Sequence, residues 1–179
     1  MDDEGKPSLE DKISRAEDAK QAGNDAFKAG RNNKAIKKYH MALLQLKDVE
    51  NPSPLEKMSG VTSQKVSDED LFLINSLRGV CYNNLAACLM KKEMYEKVIE
   101  YTSKTLALDW NNVKALYRRG QAYFKLKDTQ KAEEDFLSIK DIDADETCVD
   151  KFFPLVEAER KRQEAKEKDM YKKMMKGNS

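Results

Sequence analysis

The sequence predicts an all-α superhelix of three helix-pair repeats, six repeat helices in all, closed by a C-terminal capping helix. Three observations carry that prediction. A 34-residue period occurs three times, over residues 16–49, 79–112 and 113–146. Small and apolar residues return at fixed places within it. The stretch after the third copy is apolar at its start (Val149, Phe152, Phe153, Leu155, Val156) and highly charged later, the pattern of a helix that covers the exposed face of a last repeat.

Within the period, position 8 calls for a small residue where two helices cross, and Gly23, Ala86 and Gly120 stand there. Position 20, a second close contact, has Ala35, Val98 and Ala132, and position 27 has Ala42, Thr105 and Ile139. Position 24 is aromatic in the outer repeats, Tyr39 and Phe136, and departs to Thr102 in the middle one. This pattern resembles the tetratricopeptide-repeat family, whose unit is a helix–turn–helix of this length. The proline usual near the end of that unit is missing throughout, with Trp110 in its place in repeat two.

The chain divides accordingly. Residues 1–10 are expected to be a disordered acidic terminus, and 11–49 the first repeat with a lengthened first helix, for which Ser8 and Asp11 offer a cap. Residues 50–67 read as a loop insertion rich in Pro, Ser and Gly. Ser67-Asp68-Glu69-Asp70 is a helix-start signal, a side-chain oxygen followed by acids near the positive helix end. The second repeat, 68–112, should therefore also have an unusually long first helix, beginning near Asp68. Repeat three is 113–146 and the capping helix 147–175, in which Pro154 is expected to cause a kink or a restart.

Composition narrows the functional classes. The formal net charge is +1 although 36% of residues are charged, so no global field draws nucleic acid or an acidic membrane. No apolar run approaches the roughly 20 residues that span a bilayer, and the acidic start is unlike a leader. Cys81, Cys88 and Cys148 are an odd number without metal-ligand spacing, and proline blocks the Asn51-Pro52-Ser53 glycosylation site. A cytoplasmic monomer with free thiols, no metal and no cofactor is expected. His40, the only histidine, has no acid or nucleophile at triad-like spacing, and no phosphate-cradling glycine loop occurs, so no enzyme activity is expected.

Binding is where the residues point. In a stack of such repeats the first helices line the concave surface, and positions 2, 5, 6 and 9 share one face of each. That face presents Glu17, Lys20, Gln21 and Asn24, then Val80, Asn83, Asn84 and Ala87, then Lys114, Tyr117, Arg118 and Gln121. Three cations and several amides suit carboxylate oxygens, and a peptide ending in Asp brings two carboxylates close together. Charge-assisted hydrogen bonds worth roughly 1.5–3 kcal/mol each, less the ordering entropy, amount to about micromolar affinity.

The constellation resembles the two-carboxylate clamp of co-chaperone tetratricopeptide domains, which hold the Glu-Glu-Val-Asp C-termini of the 90-kDa and 70-kDa heat-shock chaperones. Lys20 and Asn24 stand in "KQAGN", Asn84 in "YNNLAAC", Lys114 and Arg118 in "KALYRR". The resemblance implies that Lys20, Asn24, Asn84 and Lys114 hold the terminal Asp while Arg118 reaches upstream. Phe27 is a candidate for an apolar subsite, weighed against ordinary packing. The chain is most similar, in "KKYHMALLQLK", "CYNNLAACL" and "KALYRRGQAYFKL", to the tetratricopeptide repeat protein 9 family. Its closing "EAKEKDMYKKM" resembles the last helix of immunophilin co-chaperones. Two other readings stay open. One is a scaffold binding an internal motif of another partner; the other acts through the basic, Met-rich end (Met170, Tyr171, Met174, Met175) on calmodulin or a membrane.

Overall fold

A computed structural model describes residues 7–47, 49 and 66–177. They form seven α-helices: α1 Leu9–Lys28, α2 Asn32–Gln45, α3 Asp68–Met90, α4 Tyr95–Leu108, α5 Val113–Lys125, α6 Thr129–Ile142 and α7 Phe152–Gly177. No strand occurs among the described residues, and none of their helices is long and apolar enough to cross a membrane. The acidic terminus up to residue 6 and the insertion from 50 to 65 lie outside the described residues.

Local chemistry starts the helices where the side chains say. Ser8 and Asp11 form a reciprocal capping box, so α1 already begins at Leu9, inside the stretch expected to be disordered. Ser67 accepts from the Asp70 amide, and Asp68, Glu69 and Asp70 sit in the first turn of α3, which runs 23 residues. Asn112 caps α5 and Asp128 caps α6 in the same manner.

The three intrarepeat turns share one geometry. Gly30, Glu93 and Lys127, all at repeat position 15, have φ of 72°, 57° and 69°. In each turn the following amide bonds five residues back: Arg31 to Ala26, Met94 to Leu89 and Asp128 to Tyr123. These are Schellman closures, and two of them place a residue with a side chain in the left-handed region that glycine occupies without strain.

Packing within a pair rests on positions 8 and 24. A Cβ on Gly23 would stand 2.6 Å from the Tyr39 ring, and one on Gly120 2.6 Å from the Phe136 ring. Both rings are fully buried. Repeat two solves the same contact with Ala86 and Thr102, both buried, and the Thr102 hydroxyl donates to its own helix at Val98 O, 2.7 Å away. The methyl at position 8 takes up room that the outer repeats give to a ring.

Between pairs the core is continuous. Ile13, Ala16, Ala42, Leu46, Ile74 and Cys81 join α1, α2 and α3, while Ala86, Leu89, Val98 and Ala122 join α3, α4 and α5. At the far end Phe152 stacks on Phe136 at 4.7 Å between centroids and meets the Tyr117 edge at 5.8 Å, and Val149 and Val156 complete the seal. Pro154 neither kinks nor restarts this helix. α7 begins at Phe152, so Pro154 falls in its first turn, where an N–H has no intrahelical acceptor to lose.

Cys81 and Cys88 are buried core residues, and Cys148 is partly buried. Burial pushes the Cys81 thiol up to about 12, with Lys20 pulling it partway back. It pushes Cys88 to about 11 against Lys91 and Arg118.

Gly23→Ala or Gly120→Ala should therefore destabilise by roughly 1–3 kcal/mol through overpacking. Gly79→Ala, whose Cβ would meet nothing nearer than Leu108 Cδ1 at 4.0 Å, should gain about 0.5–1 kcal/mol of helix stability; urea unfolding of the three variants checks both. The neutral thiols also set an alkaline limit. An unfolded thiol ionises near 8.5, so the stability gained by keeping Cys81 and Cys88 neutral is complete below about that pH. It is lost as pH rises towards about 11 and then about 12. Urea midpoints measured from pH 7 to 10.5 should fall on the alkaline side, less steeply in Cys81→Ala.

Candidate functional site

The first helices of the three pairs, α1, α3 and α5, hold three of the sequence-selected side chains, Asn24, Asn84 and Arg118, in two hydrogen-bonded clusters. In the first, the Tyr39 hydroxyl donates to Asn24 Oδ1 at 2.8 Å, and Asn84 Nδ2 donates to the same oxygen at 3.0 Å. Three helices, α2, α1 and α3, thus meet on one amide. With its oxygen occupied twice, Asn24 keeps its NH₂ as a donor with no partner among the described residues. Burial pushes the Tyr39 phenol up to about 12, so it stays a donor.

The second cluster surrounds Arg118. Its Nη1 donates to Asn83 Oδ1 at 2.6 Å, and Asn83 Nδ2 donates in turn to Asn112 Oδ1 at 3.4 Å. Asn112 is the residue that caps α5, and its own Nδ2 donates to Asp109 at 2.9 Å. The cap that starts α5 is therefore also the anchor that orients its arginine. Burial holds Arg118 below the usual guanidinium value.

Lys20 lies close enough to favour the Cys81 thiolate and Arg118 close enough to favour that of Cys88. Those cysteines stand three residues before and four after Asn84 on α3. Lys114, one turn before Arg118 on α5, is exposed.

Charge pairing separates these cations from their neighbours. Arg119 is gripped by Asp135, with Nε to Oδ2 at 2.9 Å and Nη2 to Oδ1 at 2.7 Å, a part-buried fork–fork pair joining α5 to α6. Lys140 pairs with Asp150 and Arg160 with Glu133. Among the described residues Lys20, Lys114 and Arg118 have no carboxylate within ion-pair distance. Arg118 is half-buried against neutral amides only. A partly desolvated cation without a counter-charge is costly, and an incoming anion relieves that cost.

Phe27 does not join this group. It packs with Ala26, Ala35, Tyr39 and Leu85, and the Lys91 ammonium sits 4.0 Å above its ring. Tyr117, which shares the α5 face in sequence, turns its ring to Phe152 of the capping helix. Three residues support the site in ways the sequence does not indicate: Tyr39 reads there as a repeat-packing ring and Asn83 as one more amide on the concave face, while Asn112 has no assigned role. Asn112 directly before a helix is an N-cap signal, whereas the reach of Asn83 to Arg118 spans 35 positions and has no local mark. No group of His, Cys, Asp or Glu among the described residues could hold a metal ion.

Comparison with known proteins places this geometry. The tetratricopeptide-repeat model matches residues 101–134. Tetratricopeptide repeat protein 9C of Xenopus tropicalis is 39% identical over 113 residues, covering 61% of this chain and 63% of that protein. Peptidyl-prolyl cis-trans isomerase FKBP4 of Rattus norvegicus is 32% identical over 165 residues, 92% of this chain but 33% of the isomerase. The chain thus spans less than two thirds of either relative. Among solved structures, the C-terminal repeat domain of a Plasmodium falciparum FK506-binding protein superposes with a TM-score of 0.71 at 28% identity, over 89% of this chain and 96% of that one. The first repeat domain of Spaghetti, solved bound to the HSP90 peptide SRMEEVD, superposes with a TM-score of 0.60 at 17% identity, over 82% and 93%. Repeat period, stacked helix pairs and solved neighbours agree on the fold: this chain folds as a tetratricopeptide-repeat superhelix, and its residues 101–134 match that repeat's model.

Proposed function

We propose that the domain is a cytoplasmic adaptor of the co-chaperone type, docking the acidic C-terminal peptide of a 90-kDa or 70-kDa heat-shock chaperone and catalysing no reaction itself. The observation that carries this reading is the contrast between adjacent arginines. Arg119 is neutralised by Asp135, whereas Arg118 donates to neutral oxygens, those of the Asn83 amide and the Lys114 carbonyl. With Lys20 and Lys114 it forms a cationic group on three facing helices that the chain's own described carboxylates leave uncompensated. A peptide ending in Asp supplies two carboxylates at one end. Lys20, Lys114 and the free amide donor of Asn24, held beside Asn84, receive them, and Arg118 meets a carbonyl or a Glu further upstream. The likeness to a domain solved with a peptide ending in EEVD supports the same chemistry.

In this reading Asn83 is a positioning residue. It fixes the guanidinium by a short bond, so less side-chain entropy is lost when peptide arrives.

Isothermal titration with a free-acid Glu-Glu-Val-Asp peptide and its C-terminal amide tests the proposal. The free acid should bind at about micromolar affinity, and amidation should remove most of the binding. Equal affinity for both would reject it. Lys20→Ala and Arg118→Ala should each cost roughly 1.5–3 kcal/mol of binding with unfolding midpoints nearly unchanged. Added salt should weaken the complex, because the exposed members of the group are screened.

A further inference from the structure

A second recognition surface lies on the other side of the same helices. Between α2 and α4 runs an open groove of about 680 Å³ that meets α3 at Arg78 and Tyr82. Tyr82 precedes Asn84 by two residues, which at about 100° per residue puts it on nearly the opposite side of α3 from the peptide group. The groove is thus separate from the site proposed above.

Its lining has a pattern. Met41, Leu44 and Leu108 are 48%, 64% and 41% exposed, an apolar strip left open to water. On α2 the lining residues His40 and Leu44 stand one turn apart, Lys47 follows in the turn just past the helix end, and Lys104 and Leu108 stand one turn apart on α4. The apolar level of Leu44 and Leu108 therefore has Lys104 and His40 one turn before it and Lys47 just after it. No acidic side chain lines the groove. Lys47 has no carboxylate partner among the described residues. Lys104 is tethered at 2.6 Å to Glu100 and leans on the Tyr101 ring at 4.9 Å, which holds its ammonium at the rim. Burial first, then the nearby Lys104 and Lys97 ammoniums, hold His40 below its usual value.

We propose that this groove docks a short amphipathic helix of a partner protein, with apolar residues facing Leu44 and Leu108 and carboxylates facing Lys47 and Lys104. Two parallel rows of side chains with a trough between them are the shape that receives a third helix, anchored at i, i+3, i+4 and i+7. From His40 to Lys47 the trough is about 10 Å long at 1.5 Å per residue, which matches about two turns of the incoming helix. Met41 adds a side chain that adapts to different apolar anchors.

The test uses the full chain and two fluorescein-labelled, C-terminally amidated 16-residue helical peptides followed by anisotropy. Both have leucines at i, i+3, i+4 and i+7; one has glutamates flanking them and the other lysines. Amidation keeps either from using a terminal carboxylate, so failure here and failure of the proposed function are separable. The glutamate peptide should bind at least tenfold more tightly than the lysine peptide. Leu44→Glu should weaken it about tenfold or more, as expected for loss of a buried leucine contact. Lys47→Glu should weaken it about fivefold, while Lys20→Ala should leave it unchanged. Equal affinity for the two peptides, no binding of either, or full binding to Lys47→Glu would overturn the proposal. Should Leu44→Glu lose its cooperative melt, Lys47→Glu decides alone. Dimerisation of the wild type in sedimentation, abolished by Lys47→Glu, would assign the groove to a second copy and also overturn it.

Discussion

The Tyr39 ring lying on Gly23 is the contact from which both the fold and the site follow. The ring fits only because position 8 has no Cβ, and this lets α1 and α2 close into a pair. Once the ring is buried, its hydroxyl has one place to go. It bonds Asn24, which also receives the Asn84 amide from the next repeat. A packing requirement thereby becomes an orienting device for two binding candidates. Repeat three uses the same position differently. Phe136 lies on Gly120, lacks a hydroxyl, and stacks on Phe152, so there the ring seats the capping helix. Repeat two, with Ala86 and Thr102, has neither task and only joins its neighbours.

Charge in this chain is mostly spent locally. Over a third of the residues are ionic, and the pairs on α7 link residues three or four apart or tie the helix to the repeat below. Such exposed pairs are worth little individually and mainly keep the surface wet. Arg119 and Asp135 are of another kind: a half-buried guanidinium on a buried carboxylate, bidentate and joining two helices of one repeat, so losing Arg119 leaves the Asp135 charge uncompensated inside. Arg118, next in the chain, is kept in place by Asn83 without being neutralised. Orientation without neutralisation is what a receptor for anions needs. An acid would have cancelled the field and an apolar neighbour would have left the guanidinium loose.

Much of the architecture was legible because it depends on neighbours within about four residues. The 34-residue period marked the helix pairs. Ser8 with Asp11 and Ser67 with Asp70 marked two helix starts, since a cap is made by side chains three positions apart. What the sequence hid was mostly backbone compromise. Glu93 and Lys127 occupy the left-handed position that Gly30 fills in the first repeat, and nothing in their chemistry announces it. Pro154 read as a kink only because the start of α7 was taken to be at residue 147 rather than Phe152.

The sequence by itself determined the repeat, the caps, the helical class and the residue types available for binding, because periodicity and capping are short-range and each residue's contribution is nearly independent of the rest. Only the tertiary structure decided how those side chains are used. Asn24 and Asn84 are 60 positions apart, and Arg118 and Asn83 are 35 apart. It also packed the partly buried Phe27 beneath Lys91, turned Tyr117 towards α7, and left Leu44 and Leu108 lining one open groove. Contacts across such distances exist only once the helix pairs have stacked, and the angle of that stacking is set by the volumes of many buried side chains together, which no local pattern encodes.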